Sequence, residues 1–291
     1  MAETSGLHVV ERSAMQDAEI AAVRALEAAC QAAGLGESRI TWDSLAAAEE
    51  VPNNFLVYDA GQIVGFLRAD GLGSDEAEAT VLVLPDTNAQ TVVAYLVKAA
   101  LVACRAHHTP ALIIAVDRRA APVAEALRTH GATLHFTEEK RWRASTGPMV
   151  LPTSELVISP AGAQDAEAIA AILAADLGID SIGFSQHIAA NMARPIYYYY
   201  IARHNNTPAA TANVQRLNGD AYIYGLVVRP EFRGRGYGRL LMLRMLADLA
   251  ATGDAPMYIE VEPQNTPAVT LYRSLGFETV AIFDYYRLDV P

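Results

Sequence analysis

The chain of 291 residues has only two cysteines, Cys30 and Cys104. Two thiols build neither a disulfide framework nor a four-cysteine zinc site, and both read as small buried hydrophobes. Its seven histidines show no metal-ligand spacing, so no metal is expected. Lysine is absent from the second half, where all ten basic residues are arginine. A phosphate loop of the Gly-Lys-Ser/Thr type is thereby excluded there. No apolar run approaches the roughly 18 residues of a membrane span, and no membrane association is expected. The opening MAETSGLHVVERS has no basic region followed by an apolar stretch, so a cytoplasmic location is expected. Basic side chains are also outnumbered, 22 against 33, for a net charge of −11. That balance disfavours nucleic acid and anionic membrane as partners.

What remains is a chain that is 52% hydrophobic, enough to bury a core, and long enough for two domains. Its halves repeat. At an offset of 145, Val83 and Pro85 fall on Val228 and Pro230. Leu96 and Leu101 fall on Leu241 and Leu246, and Ile114 and Val116 on Ile259 and Val261. Pro122 falls on Pro267, and Arg128 and Gly131 on Arg273 and Gly276. The string QDAE recurs at Gln16 and Gln164, an offset of 148, so a short indel lies near each start. Two copies of one fold are expected, at 1–148 and 149–291, joined through 145–155 where Gly147, Pro148 and Pro152 interrupt regular structure.

In the second copy the pattern predicts strands over 155–159, 196–203, 209–217, 221–228, 257–261 and 281–288. Helices are expected over 165–177, 185–192, 238–251 and 266–275. Asn218-Gly219-Asp220 marks a hairpin, and the helix over 238–251 is expected to bury Leu243, Leu246, Ala247 and Ala250. The order β-α-α-β-β-β-α-β-α-β gives an α/β fold with a mixed, mostly antiparallel sheet flanked by helices.

Chemistry concentrates between 226 and 238: Leu-Val-Val-Arg-Pro-Glu-Phe-Arg-Gly-Arg-Gly-Tyr-Gly. Gly234, Gly236 and Gly238 let the backbone curl and turn successive N–H groups inward. The turn leads into a helix N-terminus, which favours an anion, and Arg233 and Arg235 add charge. These parts make a pyrophosphate cradle. The dinucleotide spacing G-x-G-x-x-G fails, because position 239 is Arg and position 241 is Leu.

The run V-x-P-x-x-R-G-x-G-x-G after a strand resembles the acyl-CoA-binding motif of the GNAT acyltransferases (GCN5-related N-acetyltransferases), with Arg233, Gly236 and Gly238 on its core. Downstream, Ile259-Glu-Val-Glu-Pro-Gln-Asn265, Leu271-Tyr272 and Gly276-Phe277 are similar to that family's second signature. The resemblance implies acetyl-CoA, or another short acyl-CoA, as co-substrate. It implies main-chain pairing of Leu226, Val227 and Val228 with the pantetheine arm. The N–H groups of Arg233, Gly234, Arg235, Gly236, Tyr237 and Gly238 would hold the pyrophosphate. Asn265 would contact the pantetheine or orient its loop. Tyr272 would protonate the departing thiolate, its ordinary pKa near 10 suiting that task. A carboxylate would accept the amine proton. Glu260 and Glu262 share one face of their strand, and Glu262 is the preferred choice. The tandem arrangement is similar to that of mycothiol synthases, a likeness of architecture that carries no substrate.

At the same offset, Arg233–Gly238 becomes 88–93, Asn-Ala-Gln-Thr-Val-Val, without glycine or arginine. Tyr272 becomes Leu127 and Asn265 becomes Ala120. The first copy is therefore expected to lack the acyl-CoA loop. The function expected is N-acyl transfer by direct attack of a primary amine, on a small molecule or peptide. The alternative is a non-catalytic acyl-CoA-binding regulator or scaffold. The acceptor, the acyl length and the choice of monomer or homodimer stay open.

Overall fold

The computed structural model describes residues 6–144, 152, 154–178, 181–217, 219–253 and 256–291. Most of the expected join, 145–151 and 153, lies outside these residues, as does Asn218 of the expected hairpin. In chain order the elements are β1 (His8–Arg12), α1 (Asp17–Ala32), β2 (Asn54–Asp59), β3 (Gln62–Asp70), β4 (Ala77–Val83), α2 (Ala89–Ala106), β5 (Ala111–Asp117), α3 (Ala121–Thr129) and β6 (Thr133–Arg143). Then follow β7 (Leu156–Pro160), α4 (Ala166–Leu177), α5 (Ser181–Met192), β8 (Tyr197–His204), β9 (Thr207–Leu217), β10 (Asp220–Val228), α6 (Tyr237–Ala251), β11 (Met257–Val261), α7 (Thr266–Ser274) and β12 (Glu278–Asp289).

The chain forms two compact units, Met1–Glu138 with Ala281–Pro291, and Glu139–Val280. In the first unit β1, β2, β3 and β4 pair antiparallel in turn, β4 pairs parallel with β5, and β5 pairs antiparallel with the 283–289 part of β12. In the second, β7, β8, β9 and β10 do the same, β10 runs parallel to β11, and β11 pairs antiparallel with 139–143 of β6. Each unit thus draws its last strand from the other half of the sequence. A cut after residue 148 assigns both segments differently. The reason it is hidden in the sequence is physical: β6 and β12 are equivalents at the 145 offset, so either can complete either sheet.

Local chemistry sets the connections. β8 turns into β9 through Asn205 and Asn206, both at positive φ (47° and 63°), the two-residue turn whose twist suits a hairpin. α4 stops at Gly178 in the left-handed conformation. In the second unit α6 and α7 cover one sheet face with Tyr237, Leu241, Met242, Met245, Leu246 and Tyr272, and Phe277 joins them from just past α7. α4 and α5 cover the other with Ile169, Leu173 and Ile188 on Tyr199 and Ile201.

The buried face of α6 is Leu241, Met242, Met245, Leu246 and Leu249, so of the four residues expected only Leu246 is buried. Leucine and methionine line α6 on several sides, which blurs the periodicity. The equivalent α2 buries Leu96, Val97, Ala100 and Cys104, which stand 145 residues before Leu241, Met242, Met245 and Leu249, whereas Leu101, the equivalent of Leu246, is half-buried. α2 is 18 residues and apolar enough, by length and composition alone, to cross a bilayer. Its buried face instead sits in the core of the first unit.

Candidate acyl-CoA site

Two strands part company at the centre of the second unit. β10 pairs with β11 only from Ala221 to Ile223. One residue later β10 carries a bulge: Tyr224 faces Asn213 and Val227 faces Thr211, three steps against two. Gly225, at φ +61°, takes the conformation the bulge requires. A Cβ there would stand 2.5 Å from the Asn213 side chain, so the residue is glycine for two reasons. The bulge bends β10 away from β11 and opens a fork beyond Ile223 and Ile259. An isolated glycine within Ala-Tyr-Ile-Tyr-Gly-Leu-Val-Val was the available signal for it.

At the end of the fork lies the glycine turn. Gly234 and Gly236 both hold φ +76°, where a side chain costs about 1 kcal/mol or more. Among the described residues no side chain caps α6, whose N-cap is Gly236. The first N–H groups of α6 therefore keep their hydrogen-bonding capacity for a ligand, and the helix dipole adds positive potential there. Arg233 behaves differently from its neighbours. Its own N–H donates to Pro230 O (3.2 Å), so the free amides begin after it. Its guanidinium donates to Val228 O (2.9 Å) and to Asp176 (3.1 Å), locking the turn onto the end of β10.

The other arginines of the cluster are mostly paired. Arg229 meets Glu231, Arg239 donates to Ser274, and Arg244 meets Asp248. Arg235 lies over the Phe232 ring at 5.5 Å and has no carboxylate partner among the described residues.

A cleft of about 690 Å³ runs along the fork and the turn. Leu226, Val227, Val228, Arg233, Gly234, Gly236, Tyr237, Gly238, Asn265 and Tyr272 all line it, whereas Arg235 does not. Tyr237 contributes from the start of α6. Its ring is buried and its hydroxyl meets His204 Nδ1 at 2.9 Å. Asn265 caps α7, accepting from Ala268 N at 3.2 Å, which fixes the start of the helix that carries Tyr272. Tyr272 is 6% exposed and packs edge-on against Phe277. Burial pushes its phenol up to about 12, well above the ordinary value near 10. A bound acyl-CoA fits these features: diphosphate oxygens need the uncapped amides, and the slot beside Leu226 and Val227 suits an extended arm.

Glu260 stands on the opposite sheet face from Tyr272. Ile259 and Val261 are buried under α6 and α7, and alternation turns Glu260 away. Glu260 is half-buried, opposite Lys140 on β6 and on the same face as the stacked rings of Tyr222 and Tyr258 (5.3 Å). Glu262 lies beyond the last residue of β11 and is exposed. Of the four consecutive tyrosines, Tyr199 and Tyr200 are buried. Tyr199 shares the Tyr224 face, with hydroxyls 3.5 Å apart.

The first unit builds the equivalent place otherwise. β4 has no bulge against β3. α2 starts a full turn earlier relative to its buried face, so residues 89–91 wind into helix where Gly234-Arg235-Gly236 form the turn. Asn88 caps that helix through Thr91 N (3.2 Å). The fork itself is crossed by the segment after α1: Glu37 N donates to Asp117 (3.0 Å) and Arg39 N to Thr80 Oγ1 (3.1 Å). Nothing in the sequence pattern marked that segment. Among the described residues no group of three or more His, Cys, Asp or Glu side chains is placed to hold a metal ion.

Residues 168–277, within the second unit, match the model of the acetyltransferase (GNAT) family. The chain as a whole has the GNAT fold twice over. It is similar in structure to a GCN5-related N-acetyltransferase from Sphaerobacter thermophilus, with a TM-score of 0.82 at 16% identity, covering 97% of this chain and 96% of that one. A tandem GNAT protein from the clavulanic acid biosynthesis pathway gives 0.71 at 18% identity, covering 98% and 99%. In sequence, N-alpha-acetyltransferase RimI of Mycobacterium tuberculosis is 37% identical over 103 residues, 34% of this chain and 63% of that protein. The [ribosomal protein bS18]-alanine N-acetyltransferase of Salmonella typhimurium is 35% identical over 74 residues, 25% of this chain and 50% of that protein. The chain therefore spans between half and two thirds of these relatives' length.

Proposed function

We propose that the protein is an N-acetyltransferase that moves an acetyl group from acetyl-CoA to a primary amine by direct attack. One observation carries the reading: an uncapped helix N-terminus behind two left-handed glycines opens into the same cleft as Tyr272. Acetyl-CoA supplies an activated thioester. The chain supplies the rest. The amides from Gly234 to Gly238 hold the diphosphate, and the main chain of Leu226 and Val227 pairs with the extended arm as an added strand would. Arg233 supports the turn rather than neutralising the ligand.

Tyr272 faces the sulfur side of the fork, and the amine approaches from the other face, past Tyr224. Because the phenol stands near 12, it holds its proton against a thiolate whose ordinary value is roughly 8.5. It stabilises the departing sulfur by donating a hydrogen bond, a task for which a retained proton is an advantage. Half-burial on β11 beside the fork supports Glu260 as the carboxylate that takes the amine proton. Glu262 stays the second candidate.

The first unit contributes no second acyl-CoA site, since Asn88 and the 37–39 segment fill the corresponding places. Two relatives act on protein N-termini by name, so a peptide α-amine is the first acceptor class to examine, with small-molecule amines second. The experiment is thiol release from acetyl-CoA with alanine-initiated peptides and a panel of small amines. Amine-dependent release supports the reading. Acetyl-CoA binding with no release across the panel would favour the scaffold alternative.

A further inference from the structure

Arg233, Gly234, Arg235 and Gly236 are exposed, whereas the next residue, Tyr237, is the first of α6 and is 8% exposed. Two of those four residues are left-handed glycines, a residue type that leaves many backbone conformations open. The turn is held from both sides. Arg233 ties its start to Val228 O and Asp176. Its end is tied through the Tyr237 side chain, whose hydroxyl is hydrogen-bonded to His204 Nδ1 at 2.9 Å. His204 is the last residue of β8, 33 residues earlier in the chain, and Asn205 brings its Nδ2 to 3.3 Å from the ring's Nε2. The imidazole also packs against the rings of Phe232 and Tyr237, each at 5.8 Å between centroids. Phe232 and Tyr237 line the cleft, and His204 does not.

The first unit supplies the comparison. Its β2–β3 turn holds Ala60 and Gly61 at φ 45° and 83°, where the second unit holds Asn205 and Asn206 at 47° and 63°, so the 145 offset is kept there. His204 then falls on Asp59, and Tyr237 on Val92, which has no hydroxyl to offer. The clamp goes with the uncapped helix, and the helix that Asn88 caps has valine in its place.

We propose that His204 is a positioning residue for the diphosphate: through the Tyr237 hydroxyl it fixes the start of α6, and with it the N–H groups of Tyr237 and Gly238, before the ligand arrives. The inference rests on the acetyl-CoA reading above. A turn fixed in advance loses less entropy on binding, so the effect is read in affinity.

Titration calorimetry with CoA on wild type, Tyr237→Phe, His204→Leu, the double variant and His204→Asn tests it without knowledge of the acceptor. Tyr237→Phe and His204→Leu are each expected to weaken CoA about tenfold while melting within about 4 °C of wild type. The double variant is expected to bind within about twofold of either single one, because both remove the same hydrogen bond. His204→Asn puts an amide where Nδ1 stands, able to donate or accept, and is expected to stay within about threefold of wild type. If His204→Leu folds poorly, Tyr237→Phe, smaller by one oxygen, carries the test. Unchanged affinity in Tyr237→Phe, losses that multiply in the double variant, or an asparagine variant as weak as the leucine one overturns the inference alone. Failure of wild type to bind CoA removes the acetyl-CoA reading and the inference together.

Discussion

Asn88 accepts a hydrogen bond from Thr91 N at 3.2 Å and so closes the first turn of α2, at the place where the second unit carries Arg233 and Gly236. One unit spends its helix N-terminus on its own cap, and the other leaves it uncapped. The expected consequence is a stoichiometry of one acetyl-CoA per chain. Gly236→Ala, which forces a side chain into φ +76°, is expected to weaken acetyl-CoA binding about tenfold, from a cost of roughly 1 kcal/mol or more. Calorimetry reads both numbers, and a count of two would refute the account of the first unit.

Tyr272→Phe removes the donor to sulfur while keeping the ring that packs on Phe277. The expected loss is about 10²-fold in kcat, with the KM for acetyl-CoA changed by less than threefold. Because burial raises the phenol to about 12, no inflection in the rate below about pH 11 belongs to Tyr272. Stability follows with a definite sign. The unfolded phenol ionises near 10 and the folded one near 12, so stability falls as pH rises from about 10 to 12. Tyr272→Phe is expected to flatten that alkaline loss in a pH series of urea melts.

Glu260→Gln is expected to lower kcat/KM about 10²-fold, and Glu262→Gln by less than threefold. The ranking follows from their different places, since Glu260 is half-buried within β11 and Glu262 is exposed past its end. Steady-state kinetics on the pair separates them, and the reverse ranking would restore the order read from sequence.

Most of the fold was legible because helices and strands repeat their apolar spacing at an offset of 145, and the glycine turn was legible because its residues sit in one contiguous string. Ten of the eleven expected cofactor-side residues line one cleft. The rest depended on contacts distant in sequence. The exchange of β6 and β12 is invisible because equivalent strands fit equivalent slots. The bulge left only Gly225 as a trace. The role of Arg233 as a strut turned on Asp176, 57 residues away.

The first unit has its own electrostatic anchor. Asp117 is 3% exposed. Burial alone would raise its carboxyl, but hydrogen bonds from the Arg119 side chain and backbone and from Glu37 N outweigh it and hold the carboxyl below the ordinary range. Its contribution to stability is present above about pH 4 and is lost as pH falls through its lowered value. Asp117→Ala is expected to cost about 1–3 kcal/mol at neutral pH and less in acid, read by urea melts at both. Because it frees the 37–39 segment without touching the second unit's turn, acetyl-CoA binding should not change.

A crystal structure with acetyl-CoA tests the central claim most directly. The account predicts the diphosphate on the amides of Gly234 to Gly238 at the start of α6, the arm beside Leu226 and Val227, and the sulfur within hydrogen-bonding reach of the Tyr272 hydroxyl. Density for the ligand against the first unit, or an empty cleft at saturating ligand, would contradict it.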